Sequence, residues 1–274
     1  MLLFLLPLAF LLCAQALIRN GDQTEPAQFP FLAYILIPGN HEYHGECSGS
    51  LLNNRFVLTA AHCLGDYQLS DRFEAHFGVT NKTNLRSDSN VQSRQVAAVT
   101  LPPSNPNASA AFDDIAVLKL ASPVNFNKFA HPVIIKENDE FLTSESVRPL
   151  ICGYGGINED LSPYEASDIL QHAKVDYLPC SEAGGDMDTE KHLCTDANTR
   201  GTGSGDSGGP LFVKYGNRFY QVGVTAHTVL LTRYSVKTAV ETGERTVISE
   251  EPYAIDLFTR TSNGHPISHP PLAR

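Results

Sequence analysis

Short β-rich runs separated by turn residues are the feature that most limits how this chain can fold. Apolar and β-branched runs alternate with breaks rich in Gly, Asn, Pro and Ser, and helical periodicity is scarce. This spacing is typical of an all-β barrel or sandwich. The predicted strands cover residues 31–37, 56–59, 91–100, 115–120, 147–151, 169–177, 219–225 and 253–258.

Length and charge narrow the class of protein further. A chain of 274 residues suggests one large domain or two closely packed halves. Because the strand pattern pauses between residues 121 and 132, we predict halves at 18–128 and 129–260, followed by a polar, Pro-rich tail at 261–274. The formal net charge of -10 argues against a nucleic-acid partner, which normally selects a basic face.

The first residues predict export. Residues 2–12 form an apolar run too short to span a bilayer, and Ala14-Gln15-Ala16 has the small-x-small pattern of a signal-peptidase site. No Lys or Arg precedes the run, so an uncleaved anchor or a misplaced start stays open. We expect a signal peptide at 1–17, with at most one residue left before Ile18. The protein is then secreted and extracellular, with no membrane contact after cleavage.

Export also determines how the cysteines and asparagines are interpreted. Of the six cysteines, Cys13 leaves with the signal and an odd number remains. In an oxidising compartment most of these pair and one is left over. Their spacing fits no zinc motif, and we expect no metal and no cofactor. Asn81 and Asn107 begin N-glycosylation sequons, which also arise by chance.

Three segments contain candidate catalytic residues. Residues 58–63 contain His62, residues 113–118 contain the pair Asp113-Asp114, and residues 205–210 read Gly-Asp-Ser-Gly-Gly-Pro around Ser207. Taken singly, His62 is more often an ordinary histidine at the end of a strand, and Asp113-Asp114 is more often a solvated turn. The segment around Ser207 could be a simple turn. Together they supply what acyl transfer requires: a serine nucleophile, an imidazole to take its proton and a carboxylate to orient the imidazole. The N–H groups of Gly205 and Ser207 can form an oxyanion hole.

These segments, in this order, resemble those of the trypsin/chymotrypsin-like serine proteases from about residue 18 to residue 258. Residues 28–31, 47–52 and 153–155 add further similarity. The resemblance implies two six-stranded antiparallel β-barrels with the active site in the cleft between them. It also implies that His62, Asp114 and Ser207 are catalytic, with Asp114 chosen over Asp113 because the family aspartate directly precedes Ile-Ala.

The same resemblance implies the disulfides and the activation step. It pairs Cys47 with Cys63 and Cys180 with Cys194, which leaves Cys152 free. It also implies that a free amino group at Ile18 forms an ion pair with Asp206, which orders the pocket and the oxyanion hole. Leu17 precedes Ile18 in place of Arg or Lys, so we expect a tiny propeptide or near-direct maturation.

The residues that correspond to the substrate pocket give two readings. Gly201 offers no counter-charge to a basic side chain, and Thr228 narrows the mouth, so elastase-like or chymotrypsin-like cleavage after small or apolar residues is favoured over tryptic cleavage. Ala226 and His227 replace a serine and a tryptophan of the family. In the second reading Tyr253 aligns with the pocket-back tyrosine, and Glu251 attracts a basic side chain across the loop 229–250.

We therefore expect a secreted serine endopeptidase that forms an acyl-enzyme at Ser207. Its partners are polypeptide substrates and protein protease inhibitors, and the resemblance implies a monomer. The alternative is a catalytically weak or inactive homologue that acts as a binding module, which the departures at Ala226 and His227 keep open.

Overall fold

The computed structural model describes residues 18, 20–38, 43–65, 73–108, 113–136, 138–144, 146–156, 166–183, 190–238 and 245–261. For residues 38, 43–44, 230–238 and 245–253 it describes the backbone alone. The predicted signal peptide, the tail beyond residue 261 and Ser109 of the second sequon lie outside these residues. Among the residues described, no helix has the length and apolar character needed to cross a membrane.

The regular secondary structure of the described residues is almost entirely β-strand. The strands are β1 (Asp22–Gln23), β2 (Leu32–Pro38), β3 (Tyr43–Asn53), β4 (Phe56–Thr59), β5 (Glu74–Phe77), β6 (Gln92–Thr100), β7 (Ala116–Leu120), β8 (Ile134–Ile135), β9 (Leu150–Gly153), β10 (Gln171–Lys174), β11 (Tyr177–Leu178), β12 (His192–Asp196), β13 (Pro210–Tyr215), β14 (Arg218–Thr238) and β15 (Arg245–Arg260). Single-turn 3₁₀ helices lie at His62–Leu64, Lys82–Asn84 and Cys180–Ala183.

The first half is the closed barrel that the resemblance implied. Its strands follow one another around the barrel in the order β2, β3, β4, β7, β6, β5. Leu51, Val57, Leu118, Phe73 and Phe77 fill the interior and are fully buried, so the barrel encloses a packed core.

The second half corrects the expectation of two six-stranded barrels. It is a nine-stranded sheet in the order β1-β10-β9-β13-β14-β15-β12-β11, with β8 parallel to β14. The edge strands β1 and β11 are not neighbours in this order, so among the described residues the sheet curls without closing. β14 and β15 also run on together as a two-stranded ribbon as far as the pair Thr238 and Arg245.

Aromatic side chains join the two halves. Phe29 and Phe31 pack against Phe212 at ring-centroid distances of 5.1 and 5.0 Å, and against Phe219 at 5.8 and 5.3 Å. Edge-to-face and tilted aromatic pairs of this kind stabilise beyond the area that they bury. A buried hydrogen bond from Ser50 Oγ to Gln221 Oε1 also crosses the junction. These contacts hold the two halves together.

A buried histidine in β5 gives the first barrel a pH-dependent stability. His76 is fully buried, its Nδ1 lies 2.7 Å from Ser93 Oγ, and its Nε2 lies 3.4 Å from Glu74 Oε2. Glu74 also accepts a hydrogen bond from Arg86 at 2.9 Å. Burial lowers the pKa of His76 to about 4, partly opposed by the Glu74 charge. The ring is therefore neutral in the folded protein across the pH range in which the unfolded chain becomes protonated.

We expect His76 to reduce the free energy of unfolding as the pH falls from about 6.5 to about 4. A pKa depressed from 6.5 to about 4 corresponds to a loss of about 3 kcal/mol. Denaturant unfolding at pH 7.5 and pH 4.5 measures the effect, with His76→Gln as the variant that removes it. An equal pH dependence in both proteins would contradict a neutral buried His76.

Candidate active site

The histidine and one aspartate of the predicted triad are in contact. His62 opens the 3₁₀ helix that follows β4, and Asp114 lies just before β7, the strand that pairs with β4. His62 Nδ1 donates to Asp114 Oδ2 at 2.6 Å, and the His62 backbone N–H donates to Oδ1 at 2.8 Å. Asp114 is 2% exposed, so its carboxylate fixes the imidazole tautomer, with the proton on Nδ1 and Nε2 left to accept.

The neighbouring aspartate takes a different role. Asp113 has a positive φ of 42°, and its Oδ1 lies 3.4 Å from Lys191 Nζ in the second half. It therefore faces the opposite half of the molecule, and the contacts agree with the choice of Asp114 over Asp113 as the partner of His62.

The turn that carries Ser207 is held between the two halves. The Ser207 carbonyl accepts from the Ser48 N–H of β3 at 2.8 Å and lies 3.6 Å from Cys63 Sγ, the residue after His62. On its other side, Gly208 N–H donates to the Thr225 carbonyl at 2.8 Å. These contacts bring the serine segment beside the histidine segment, as the sequence predicts.

The glycine after Ser207 permits this close approach. Gly208 has a φ of +79°, and a Cβ there would collide with the Thr59 side chain, the Ser48 carbonyl and the Ala60 nitrogen. A side chain is thus excluded both by the backbone conformation and by the neighbouring atoms. The segment 205–210, which taken alone could be a simple turn, therefore lies at a contact between the two halves.

The predicted oxyanion and activation residues lie in the same turn. Gly205 has a φ of +98°, and its carbonyl accepts from Ser48 Oγ at 3.2 Å. The Asp206 carboxylate is buried and accepts from the N–H groups of Gly155 and Gly203, each at 2.8 Å. Burial raises the pKa of Asp206 to about 7 despite these two bonds.

Ile18, the predicted partner of Asp206, has a fully buried side chain that packs in the core of the second half. Its backbone nitrogen is an amide in this uncleaved chain. The ion pair with Asp206 therefore stays a prediction about the processed form.

The predicted pocket residues cluster around β14 and the loop before Ser207. Ala226 is buried, His227 is exposed at the rim, and Thr228 is half-buried directly opposite Asp256 of β15. Burial lowers the pKa of His227, while the negative charge of Asp114 opposes this shift. Gly201 is buried, and a Cβ there would lie 2.8 Å from Ala197 Cβ and 3.0 Å from Asp256 Oδ2.

The alternative pocket residue Glu251 is distant in the strand register. Its backbone pairs with Arg233 on the ribbon, five positions beyond Asp256, or roughly 16 Å along a strand. Tyr253, whose alignment suggested Glu251, pairs with Leu231 on the same ribbon. The side chains of Glu251 and Tyr253 lie outside the description. Asp256, which was not among the predicted site residues, is the carboxylate beside Gly201. Its sequence signal is a charged residue inside the apolar run 254–258.

Both expected disulfides are present. Cys47 bonds to Cys63 behind His62, and Cys180 bonds to Cys194 beside the second sheet. Cys152 is a free, buried thiol, and burial raises its pKa well above the ordinary value. Cys47, His62 and Cys63 place possible ligand atoms within 4.8 Å of one another, but the disulfide consumes both thiolates that a metal would need.

The two glycosylation sequons differ in what the structure describes. Asn81 Oδ1 accepts from the Thr83 N–H at 2.9 Å and from Thr83 Oγ1 at 2.7 Å. Asn107 is exposed. Modification at either site stays a prediction.

Comparison with known proteins agrees with this geometry. The chain is 29% identical over 226 residues to Serine protease 41 of Homo sapiens, an alignment that covers 77% of this chain and 68% of that protein. It is 29% identical to Melanization protease 1 of Drosophila melanogaster, over 76% of this chain and 58% of the relative. It is 28% identical to Transmembrane protease serine 9 of Rattus norvegicus, over 76% of this chain and 19% of the relative.

The chain thus spans about a fifth of the rat relative and somewhat over half of the fly one. A family model described as Trypsin matches residues 18–238, which is most of the chain. With the closed barrel, the His62–Asp114 contact and the position of the Ser207 turn, this match means that the chain belongs to the trypsin family of serine proteases.

Proposed function

We propose that this protein is a secreted serine endopeptidase that hydrolyses peptide bonds through an acyl-enzyme at Ser207. The observation that carries the proposal is the double hydrogen bond from His62 to the buried Asp114, with the Ser207 turn held against the segment that follows His62. A histidine fixed in this tautomer is prepared to accept a proton from a serine hydroxyl.

In the proposed reaction, Nε2 of His62 takes the proton of Ser207 Oγ as the oxygen attacks the substrate carbonyl. The Asp114 carboxylate stabilises the imidazolium that forms. The N–H groups of Gly205 and Ser207 then stabilise the tetrahedral oxyanion, at about 3 kcal/mol per donor. His62 returns the proton to the leaving amine, and a water activated by the same imidazole releases the acid.

The pocket supports cleavage after small or apolar residues. Gly201 supplies no charge, and Thr228 stands over the pocket with its hydroxyl directed to Asp256. The backbone of Glu251 lies well out along the ribbon, which favours the apolar reading over the basic one. We infer polypeptide substrates and protein protease inhibitors as partners of a monomeric enzyme.

Activation is proposed to depend on Ile18 and Asp206. In the uncleaved chain the pKa of Asp206 is raised from 3.8 to about 7, so ionising this carboxylate opposes folding. We therefore expect the Asp206 contribution to the free energy of unfolding of the uncleaved chain, measured relative to Asp206→Asn, to fall as the pH rises from about 4 to about 7. In a chain beginning at Ile18, the new ammonium pairs with the carboxylate and this loss disappears.

Denaturant unfolding of both forms at pH 4.5 and pH 7.5 checks this prediction. Asp206→Asn in the uncleaved chain is the matched control, because the amide keeps the shape and cannot ionise. The same pH dependence in the uncleaved chain and in the Asp206→Asn variant would contradict it. N-terminal sequencing of the secreted protein is the complementary test, and a mature chain beginning at Leu17 contradicts the ion pair.

The binding-module alternative is supported by one observation. Ala226, buried beside His227, has no hydroxyl, so this position cannot donate a side-chain hydrogen bond to the triad aspartate as the family serine does. In this alternative the protein binds peptides along β14 and does not cleave them.

Peptide-library cleavage by protein beginning at Ile18, combined with labelling by a small fluorophosphonate, separates the two functions. The enzyme cleaves and is labelled at Ser207, and Ser207→Ala does neither. Folded protein with a verified Ile18 terminus that neither cleaves nor is labelled would transfer the assignment to the binding module.

A further inference from the structure

A groove lies where the segment before β2 meets the hairpin of β13 and β14. Its volume is about 370 Å³, which is within the range of ligand pockets in proteins. This seam groove is lined by Gln28, Phe29, Leu150, Lys214, Asn217 and Phe219. Phe219 lies roughly 20 Å along β14 from Thr225, the residue that contacts the Ser207 turn, so the groove is separate from the candidate active site.

The floor of the seam groove is aromatic and apolar. Phe29 is buried and packs edge to face against Phe219, with 5.8 Å between the ring centroids. Phe219 is itself only half-buried, as is Leu150 at the start of β9. Part of this apolar surface therefore stays in contact with water, and a ligand that covers it gains the free energy of burial.

The sheet register places two lysines on the same face as this floor. Lys214 of β13 is directly opposite Phe219, and Lys174 of β10 is directly opposite Leu150. Leu150 is also opposite Phe212, two residues before Lys214, so all of these residues share one face of the sheet. The two lysines therefore flank the floor on either side of β9.

These lysines give the seam groove a positive charge. Lys174 and Lys214 are exposed, and among the described residues neither forms an ion pair with a carboxylate. Lys214 Nζ lies 5.8 Å from the centroid of the Phe219 ring, a distance at which the ring attracts the ammonium group. None of the residues that line the groove is acidic. The groove thus differs in charge from a protein whose formal net charge is -10.

One wall of the groove is held in place by a histidine. Gln28 Oε1 accepts from the Glu25 N–H at 2.9 Å, and Gln28 Nε2 lies 3.3 Å from His172 Nε2. The other ring nitrogen, Nδ1, lies 3.2 Å from Thr24 Oγ1. Burial lowers the pKa of His172, which favours the neutral ring that can accept a hydrogen bond from the Gln28 amide. The wall is therefore formed before a ligand binds, which reduces the entropy lost on binding.

We propose that the seam groove binds a polypeptide segment that presents an aromatic side chain between acidic residues. The aromatic ring enters the groove against Phe29 and Phe219, and the flanking carboxylates meet Lys174 and Lys214. Complementary charge orients the segment and selects it over a purely apolar one. The inference does not rest on the proposed peptidase function, because no residue of the groove belongs to the candidate active site.

The probe is the peptide acetyl-Glu-Glu-Trp-Glu-Glu-amide. The protein contains no tryptophan, so the fluorescence of the peptide Trp reports its burial without interference. The secreted protein carries Ser207→Ala, so that the peptide stays intact. We expect a blue shift of the emission and saturable binding with a Kd below about 1 mM, weakened by added salt.

Peptide variants test the chemistry on the unaltered groove. Acetyl-Gln-Gln-Trp-Gln-Gln-amide keeps the ring and removes the charge, and we expect it to bind about 10-fold or more weakly. The Glu peptide with Phe in place of Trp competes for the groove, whereas the same peptide with Ala does not. Equal affinity for the Glu and Gln peptides, or equal competition by Phe and Ala, would overturn the proposal.

Protein variants test the location. Lys214→Glu and Lys174→Glu each weaken binding by about 10-fold or more, while Lys119→Glu, which makes the same charge change at an exposed position of β7, leaves it within about 2-fold. Thermal unfolding checks that each variant is folded. Equal weakening by all three substitutions means that binding follows net charge and refutes the groove.

A further arm separates a polypeptide from a membrane surface. Sedimentation with phosphatidylserine vesicles that is lost in Lys214→Glu, without peptide binding, would assign the groove to lipid and overturn the proposal. Failure of the Ile18 protein to cleave peptides would refute the peptidase and leave this binding experiment unaffected, so the two proposals fail separately.

Discussion

Ser207→Ala lowers the turnover of a peptide substrate by about 10⁴-fold or more, because no other group in the turn can form the acyl-enzyme. The fold is unaffected, since the Ser207 contacts that join the halves are made by its carbonyl and not by its hydroxyl. Steady-state hydrolysis and thermal unfolding of the same preparations measure both effects.

The matched control is Ser87→Ala, which removes an exposed hydroxyl from a turn of the first half. We expect this variant to keep wild-type turnover. A Ser207→Ala protein that retains full activity would remove Ser207 from the mechanism and would require another nucleophile.

Gly208→Ala destabilises the protein by more than about 4 kcal/mol or prevents folding. The added Cβ is strained by the positive φ and collides with the backbone of Ser48 and Ala60 and with the Thr59 side chain. Since Ser48 and Ala60 belong to the first half, the methyl group pushes the halves apart at the turn that carries Ser207. Chemical denaturation and the yield of secreted protein report the effect.

Gly216→Ala is the control that separates strain from collision. Gly216 also has a positive φ, of 59°, but a Cβ there has no atom within 4 Å. Gly216→Ala therefore lowers the free energy of unfolding only through the strain of the positive φ, by about 1–2 kcal/mol. If the two variants lose equal stability, the contact between the halves at Gly208 is not what selects glycine.

The sequence predicted the fold class because alternating runs and turn residues are local signals. The predicted runs left out β1, β3, β5, β8, β12 and β13. For β3 and β5 there is a physical reason. Gly49 interrupts the β-forming residues of β3, and a Cβ there would lie 2.8 Å from the Leu58 carbonyl, so the glycine serves close packing of strands. Glu74 and His76 made β5 look polar, although both are buried and contact partners on neighbouring segments.

The contact between His62 and Asp114 could be predicted because motif order and neighbouring residues select these residues without coordinates. The position of Asp256 beside Gly201 and Thr228 could not be predicted, because Asp256 is remote in sequence from both and only the pairing of β14 with β15 brings them together. The half-open second sheet could not be predicted for the same reason, since closure depends on contacts between edge strands that no local pattern records.

The pairing of Thr228 with Asp256 also affects how the chain tolerates insertions and deletions. β13 anchors β14 through the pair Pro210 and Val224, and β12 anchors β15 through the pair Thr195 and Asp256. The pocket end of the hairpin is thus fixed by neighbouring strands, whereas length changes between residues 229 and 255 are absorbed at the other end. The ribbon can therefore lengthen, shorten or diverge in evolution without altering which residues face each other in the pocket.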